Sequence, residues 1–220
     1  MELITAPLFP LPNVVFFPKT NLPLHIFESR YRQLMRDALN ADHRMAIALL
    51  QPGWENDYYG NPAVFDVCCL GHIESFEELE DGKFNLILAG ERKVRIRSVI
   101  KESPYRTISG VTLQDKLLPS GAAEAVLLRR QLLALVDEYF RLRSDQELDL
   151  SELRTLEYEA LVNSLATHLG LPVLHKQQLL QLDDLQQRGK QVARFLQLQI
   201  QEQGIVRKFQ HLTPKDPSWN

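Results

Sequence analysis

The stretch PLFPLPNVVFFPKTNLPLHIFESRYRQLMRDAL, residues 7–39, decides how this chain begins to fold. Prolines interrupt its first part, and five of the chain's 12 prolines fall within residues 1–23. Proline fixes its own backbone angle and lacks an N–H donor, so this part cannot be helical. It predicts short strands with extended connections, and the apolar run Val14 to Phe17 lies between the breakers.

The second part of the same stretch has the pattern of a helix. Apolar side chains recur at the spacing i, i+3, i+4, i+7 and i+8, which places them on one helical face: Tyr31, Leu34, Met35, Ala38 and Leu39. We therefore expect a helix after Phe27 that covers an open face or end of a sheet.

Short, closely spaced strands follow. They are predicted at Arg44–Leu50, Phe65–Phe76, Lys83–Ala89, around Val94 and Ile96, and at Tyr105–Leu113. The dipeptide Asp81-Gly82 suits the positive backbone angles of a tight hairpin turn. This spacing favours a barrel or a sandwich over alternating strands and helices.

Composition changes at LLPSG, residues 117–121, and the rest of the chain is rich in helix. Helices are predicted over Ala122–Arg143, Ser151–Leu169 and Lys176 to about Gln203, with Gly170 and Pro172 ending the second. The sequence thus predicts an α+β fold with a β-barrel subdomain at 1–118, a helical subdomain at 119–205 and a tail at 206–220.

Composition excludes several classes of protein. With 220 residues, 45% of them hydrophobic and 24% charged, the chain is long enough to bury a substantial core. A net charge of -3 provides no general attraction for nucleic acid, and no apolar run is long enough to span a membrane. The adjacent Cys68 and Cys69 are interpreted as strand residues of a protein in a reducing compartment, the cytoplasm.

No arrangement of residues predicts an enzyme, a cofactor or a metal site. The six histidines are scattered, and no serine lies in a GxSxG motif. Gly82-Lys83 and Gly189-Lys190 lack the upstream glycine and the following hydroxyl residue of a phosphate-binding loop. We therefore expect a protein that acts by binding.

Residues 7–39 resemble the opening of the Lon protease N-terminal (substrate-binding) domain family. The likeness continues through VCCLGHI at 67–73, DGKFNLILAGERKVRI at 81–96 and KQQLLQLDDLQQRGKQV at 176–192, and covers roughly residues 5–205. The resemblance implies a PUA-like β-barrel followed by a helical subdomain. It further implies that this whole region recognises damaged or tagged polypeptides. It also implies a stand-alone member without the AAA+ ATPase and the Ser-Lys peptidase of complete Lon proteases.

The candidate contacts for an unfolded polypeptide or a partner protein are aromatic. Trp54, Tyr58 and Tyr59 lie in a loop rich in Pro and Gly, where burying three aromatic rings is uncommon. Phe16 and Phe17 are weaker candidates, because neighbouring strand residues point to opposite faces and only one of them can point into the core. The alternative for the loop is that its rings pack onto its own barrel.

A second candidate set lies at the junction between strand and helix: His25, Glu28, Arg30 and Tyr31. These side chains could form a polar recognition surface. We favour an architectural role, in which Glu28 complements the helix dipole and Arg30 pairs with a carboxylate to fix the junction.

Two other functions remain open. PUA-like barrels also occur in RNA-modifying proteins, and Lys93, Arg95 and Arg97 would form a basic stripe on one strand face. The C-terminal helices could instead drive self-association. Their apolar stripe of Val192, Phe195, Leu196 and Ile200, flanked by glutamines, predicts packing on the other helices and the barrel, with a coiled-coil partner as the alternative.

Overall fold

The computed structural model describes residues 2–57, 60–116, 123–143 and 150–209, without the side chains of 206–209. The strands are β1 (Leu3–Leu11), β2 (Asn21–Ile26), β3 (Arg44–Leu49), β4 (Val67–Glu78), β5 (Phe84–Lys101) and β6 (Thr107–Leu113). The helices are α1 (Ser29–Leu39), α2 (Ala123–Arg143), α3 (Ser151–Thr155), α4 (Tyr158–His168), α5 (Val173–Gln181) and α6 (Leu185–Phe209). A short 3-10 helix spans Trp54–Asp57.

Five of the strands close into a ring because β5 is long enough to pair with three neighbours. Strand β5 pairs with β4 along most of its length, with β2 over residues 84–89, and with β6 from Lys93 onward. Strand β1 joins β3 in parallel and β6 antiparallel, so the ring runs β1-β3-β4-β5-β6. The predicted barrel is confirmed, and β2 remains outside it as an edge strand.

The proline-rich start forms strands at different positions from those predicted. Strand β1 contains Pro7 and Pro10, whereas the run from Val14 to Phe17 belongs to no strand. The register shows the reason: β1 pairs with β6 up to Pro7 and with β3 from Leu8 onward. The carbonyl of Leu11 accepts from a residue beside β3, so Pro10, one position earlier, directs its donor-free nitrogen away from β3.

Apolar side chains form three clusters around the ring. The first takes residues from every ring strand, including Leu8, Ala46, Leu70, Val94 and Ile108, and therefore fills the barrel. The second lies between the barrel and α1, whose predicted face of Tyr31, Leu34, Met35 and Ala38 is buried. The third joins barrel residues such as Leu49, Val67 and Leu113 to the helices α2, α4, α5 and α6.

Two predicted helices are each divided in two. The segment 151–169 forms α3 and α4, and the segment 176–203 falls in α5 and α6. Asp184 explains the second break, because its carboxylate accepts the N–H of Gln187 at 3.1 Å and so caps the first turn of α6. The predicted tail from residue 206 is helical up to Phe209, while 210–220 and the predicted boundary at 118/119 lie outside the described residues.

A buried ion network joins the barrel to the helices. Lys93 Nζ on β5 lies 2.5 Å from Asp115 Oδ1 and 3.0 Å from Asp183 Oδ1. Arg188 Nη1 on α6 lies 2.7 Å from Asp115 Oδ2 and donates to Asn163 Oδ1 of α4 at 2.8 Å. Lys93 and Arg188 are 1% and 0% exposed, so Asp115 compensates two cations that have left water.

The network changes the interpretation of the basic segment on β5. The prediction that Lys93, Arg95 and Arg97 share a solvated face is wrong for Lys93, which points into the barrel–helix interface. Arg95 is half-buried and lies 3.8 Å from Asp66, and Arg97 is exposed. A continuous basic stripe that could follow a phosphate backbone is therefore not present on this strand.

The two cysteines are strand residues, as predicted. Cys68 and Cys69 are neighbours on β4 and contact different apolar clusters, one inside the ring and one towards α1. Both are free thiols and fully buried. Burial, with a smaller contribution from Asp66, raises the pKa of the Cys68 thiol to about 12, so this thiol is not an activated nucleophile.

Candidate functional site

Strand β2 separates two hollows in the surface. On one side lies an open groove of about 530 Å³ across β2, β5 and β4, lined by Pro23, Leu24, His25, Ser75, Phe76, Glu77, Asn85, Leu86 and Ile87. On the other side, towards α1, lies a smaller and more enclosed pocket of about 130 Å³. Leu24 and His25 line both hollows, so the two form one surface with β2 as its central ridge.

An exposed phenylalanine lines each of the two hollows. Phe27 is 58% exposed and lines the pocket, while Phe76 is 49% exposed and lines the groove. Single exposed apolar residues are common, but two aromatic rings beside apolar hollows are typical of a surface that binds another molecule. Sequence analysis did not select either ring, although Phe76 lies in the acidic run ESFEE at residues 74–78, where a lone aromatic side chain indicates exposure.

The four predicted junction residues lie together at the pocket. His25 Nδ1 hydrogen-bonds Asn85 Oδ1 at 2.7 Å, and the His25 ring stacks with Phe27 at a centroid distance of 6.2 Å. Arg30 Nε donates to Glu28 Oε2 at 3.0 Å, which confirms that Arg30 pairs with a carboxylate. The Arg30 guanidinium also lies over the Tyr31 ring at 4.6 Å. The junction is thus both an architectural feature and part of the candidate surface.

The loop that carries the aromatic candidates reaches the same pocket. Gly60 and Pro62 line it, and the Gly60 carbonyl accepts a long hydrogen bond of 3.5 Å from Arg30 Nη1. Trp54 is half-buried in the short 3-10 helix of this loop. Tyr58 and Tyr59 lie outside the described residues. The loop and the junction, selected separately from the sequence, are therefore adjacent in the fold.

Phe16 and Phe17 do not belong to this surface. The expectation that only one of them points into the core is wrong, because they are 2% and 0% exposed. Their segment is not an outer strand and passes between two clusters, so Phe16 packs towards α1 and Phe17 packs towards the helices α2 to α6. Side chains that point in opposite directions from this segment are therefore both buried, each in a different apolar cluster.

Arg106 is a functional candidate that sequence analysis missed. It is 7% exposed, lines the small pocket, and donates from Nη1 to the Pro62 carbonyl at 2.8 Å. Burial lowers the pKa of Arg106 below its ordinary value, and the nearby Arg30 acts in the same direction, while Tyr31 and Glu102 oppose both. The only local signal is its position after Pro104-Tyr105, which does not predict burial.

The family model for the ATP-dependent protease La (LON) substrate-binding domain matches residues 5–197. The chain belongs to this LON substrate-binding domain family. The match covers the barrel, the junction, both hollows and most of the helical region. It confirms the family to which the sequence pointed.

Curated relatives of this LON substrate-binding domain are longer proteins. Lon protease 2 of Herpetosiphon aurantiacus is 25% identical over 215 residues, which is 97% of this chain and 26% of the relative. Lon protease of Xanthomonas oryzae pv. oryzae is 26% identical over 196 residues, or 85% of this chain and 22% of the relative. The chain thus spans about a quarter of the length of the relatives that it matches.

Two solved structures show the same fold as this LON substrate-binding domain. The Lon N-terminal domain protein from Xanthomonas campestris superimposes with a TM-score of 0.57 at 26% identity, covering 86% of this chain and 96% of that one. The N-terminal domain of Mycobacterium avium complex Lon protease gives a TM-score of 0.67 at 15% identity, covering 88% and 98%.

Across the part of the chain that the structure describes, no group of three or more His, Cys, Asp or Glu side chains could hold a metal ion. Among those same residues, no helix combines the length and the apolar character that crossing a membrane requires.

Proposed function

We propose that this LON substrate-binding domain binds exposed apolar segments of unfolded or tagged polypeptides through the surface around β2. The observation that carries the proposal is the pair of exposed rings, Phe76 lining the groove and Phe27 lining the pocket. Folded proteins bury such side chains, so a surface that offers aromatic rings and apolar hollows selects chains that have failed to bury theirs.

The dimensions and chemistry of the groove suit an extended segment. A volume of about 530 Å³ lies within the range of ligand sites and accommodates several side chains. Five of its nine lining residues are apolar, Leu24, Leu86 and Ile87 among them, and the other four are polar. Binding to such a surface depends on buried apolar area, which favours a broad range of sequences over one motif.

The proposed role is binding without catalysis. In the groove, His25 hydrogen-bonds Asn85, and no hydrogen bond among the described residues joins Ser75 to a base. A role as an adaptor for a protease or chaperone, or in quality control, would follow from binding alone. We also propose the cytoplasm as the compartment, since two free thiols fit a reducing environment.

Fluorescence anisotropy tests the proposal with a fluorescein-labelled, permanently unfolded casein. We expect Phe27→Ala and Phe76→Ala each to weaken binding about tenfold or more, because each removes a large apolar contact. Leu127→Ala is the matched control, since Leu127 on α2 is 55% exposed and distant from β2 in the fold. The proposal fails if wild type does not bind at tens of micromolar, or if the control weakens binding as much as the two phenylalanine variants.

Self-association through α6 is a second candidate function. Leu198 and Ile205 are 50% and 57% exposed and seven residues apart, so they lie on one face of α6. Leu198 also lines a hollow of about 310 Å³ between α5 and α6, together with Phe195. A second copy of the chain would cover this face. Light scattering should then show a dimer that Leu198→Glu dissociates, and a wild-type monomer at high concentration would exclude it.

A further inference from the structure

Three basic side chains are buried in the described part of the chain, and they differ in how their charge is compensated. Lys93 and Arg188 share the carboxylate of Asp115 at 2.5 and 2.7 Å. Among the described residues, Arg106 donates one hydrogen bond, to the carbonyl of Pro62, and takes part in no ion pair. A guanidinium has five N–H donors, so most of its capacity remains unused.

The energetic consequence is specific to Arg106. A buried cation is costly unless an anion and further hydrogen bonds replace the water that it has lost. Arg106 is 7% exposed and lines the enclosed pocket beside β2. An anion from outside the described residues would compensate this charge, and the pocket is the route by which it would enter.

The charges around the pocket favour an anion. Arg30 and Arg106 both line it, and Glu28 is the one carboxylate among the lining residues. Glu28 is engaged by Arg30 at 3.0 Å, and no described carboxylate forms an ion pair with Arg106, on which Glu102 acts through its charge alone. The remaining walls are mainly apolar, with Phe9, Leu24 and Phe27 among them. The pocket thus combines one unmatched cation with apolar surroundings, in which a charge-assisted hydrogen bond is strong.

We propose that this pocket binds a carboxylate of the polypeptide held on the β2 surface, and that Arg106 is the residue that recognises it. The inference rests on the proposed function and names its substrate class: an apolar segment with a carboxylate beside it. A volume of about 130 Å³ holds roughly four water molecules, which is room for a carboxylate on a short carbon stem. Either the end of a chain or an Asp or Glu side chain provides that group.

Three forms of one short fluorescein-labelled peptide, rich in leucine and phenylalanine, test the inference on the unaltered protein. The first ends in a free carboxylate, the second in an amide, and the third is the amide with one glutamate inside the apolar segment. Anisotropy should show that at least one acidic form binds about tenfold or more tightly than the neutral amide. Preference for the first form identifies the chain terminus, and preference for the third identifies a side chain.

Variants at Arg106 separate recognition from structural support. Arg106→Gln should reduce the ratio of acidic to neutral peptide affinity to about twofold or less, whereas Arg106→Lys should keep part of that preference because it keeps the charge. Equal binding of acidic and neutral peptides to wild type would overturn the inference, as would an undiminished preference in Arg106→Gln. Failure of all three peptides to bind would instead overturn the proposed function, so the two failures are distinguishable.

Discussion

The barrel–helix interface and the pocket beside β2 both bury basic side chains, but they treat charge in opposite ways. At the interface, Asp115 lies between Lys93 and Arg188, and amide and carbonyl oxygens accept the remaining donors. At the pocket, Arg106 has one carbonyl partner and no carboxylate partner among the described residues. Burial of a charge alone therefore does not indicate function, whereas burial of a charge beside a hollow without an ion-pair partner does.

The largest expected effect on stability comes from removing the carboxylate of Asp115 at the barrel–helix interface. Asp115→Asn leaves Lys93 and Arg188 buried without their shared carboxylate, and we expect the free energy of unfolding to fall by about 3–5 kcal/mol. Urea denaturation followed by circular dichroism measures it. Asp66→Asn is the control, because Asp66 is an exposed partner of Arg95 at 3.8 Å and should cost less than about 1 kcal/mol. Equal effects of the two substitutions would show that the network does not join the two regions.

Substituting Arg188 and Arg106 separately by methionine compares directly how much each buried arginine contributes to stability. Arg188→Met removes four hydrogen bonds and leaves buried acceptors unpaired, so we expect a loss of about 3 kcal/mol. Arg106→Met removes a cation that has no anion, so the loss should stay below about 1 kcal/mol. Both are measured by urea denaturation of the free protein. A loss at Arg106 as large as that at Arg188 would indicate that Arg106 is a structural residue.

Local signals explain what could be predicted from the sequence. The face of α1 follows from the spacing of Tyr31, Leu34, Met35 and Ala38, and the hairpin follows from Gly82, whose φ is 74°. These features depend on residues a few positions apart. The pairing of β1 could not be predicted in this way. Its change of partner at Pro7 depends on β3 and β6, two strands that are distant from it in sequence.

The candidate site shows the same limit more strongly. The junction residues His25, Glu28, Arg30 and Tyr31 were selected from the sequence because they are contiguous with a helix start. Arg106 was not selected, because its burial depends on a carbonyl 44 residues earlier in the chain. Compensation of charge is a property of three-dimensional neighbours, and no sequence pattern around Arg106 reports it.

Tyr105, the residue before Arg106, is hydrogen-bonded to helix α1, and its substitution should have an effect of intermediate size on stability. Tyr105 Oη donates to Asp37 Oδ2 of α1 at 2.5 Å, and we expect Tyr105→Phe to cost about 1.5 kcal/mol near neutral pH. Burial, then the bond to Asp37 and its charge, raise the pKa of Tyr105 from 10.0 to about 12. Its folded-state pKa therefore exceeds the unfolded value.

The sign of the pH dependence follows from that order. Below pH 10 the phenol is protonated in both states and the contribution of Tyr105 is complete. Between pH 10 and about 12 the unfolded chain releases the proton while the folded chain retains it, so stability falls as pH rises. Urea denaturation across this range should show the advantage of wild type over Tyr105→Phe disappearing. An advantage that stays constant up to pH 12 would contradict the assigned hydrogen bond.

The smallest expected effect tests whether the β2 surface is retained for binding. Phe27→Ala and Phe76→Ala should change the free energy of unfolding by less than about 0.5 kcal/mol, because both rings are about half exposed in the folded chain. Phe17→Ala is the control and should cost about 3–5 kcal/mol, since Phe17 is fully buried. If the two surface variants proved as destabilising as the control, their rings would belong to the core of the fold. A negligible loss, together with weakened polypeptide binding, would mean that these rings contribute to binding and not to folding.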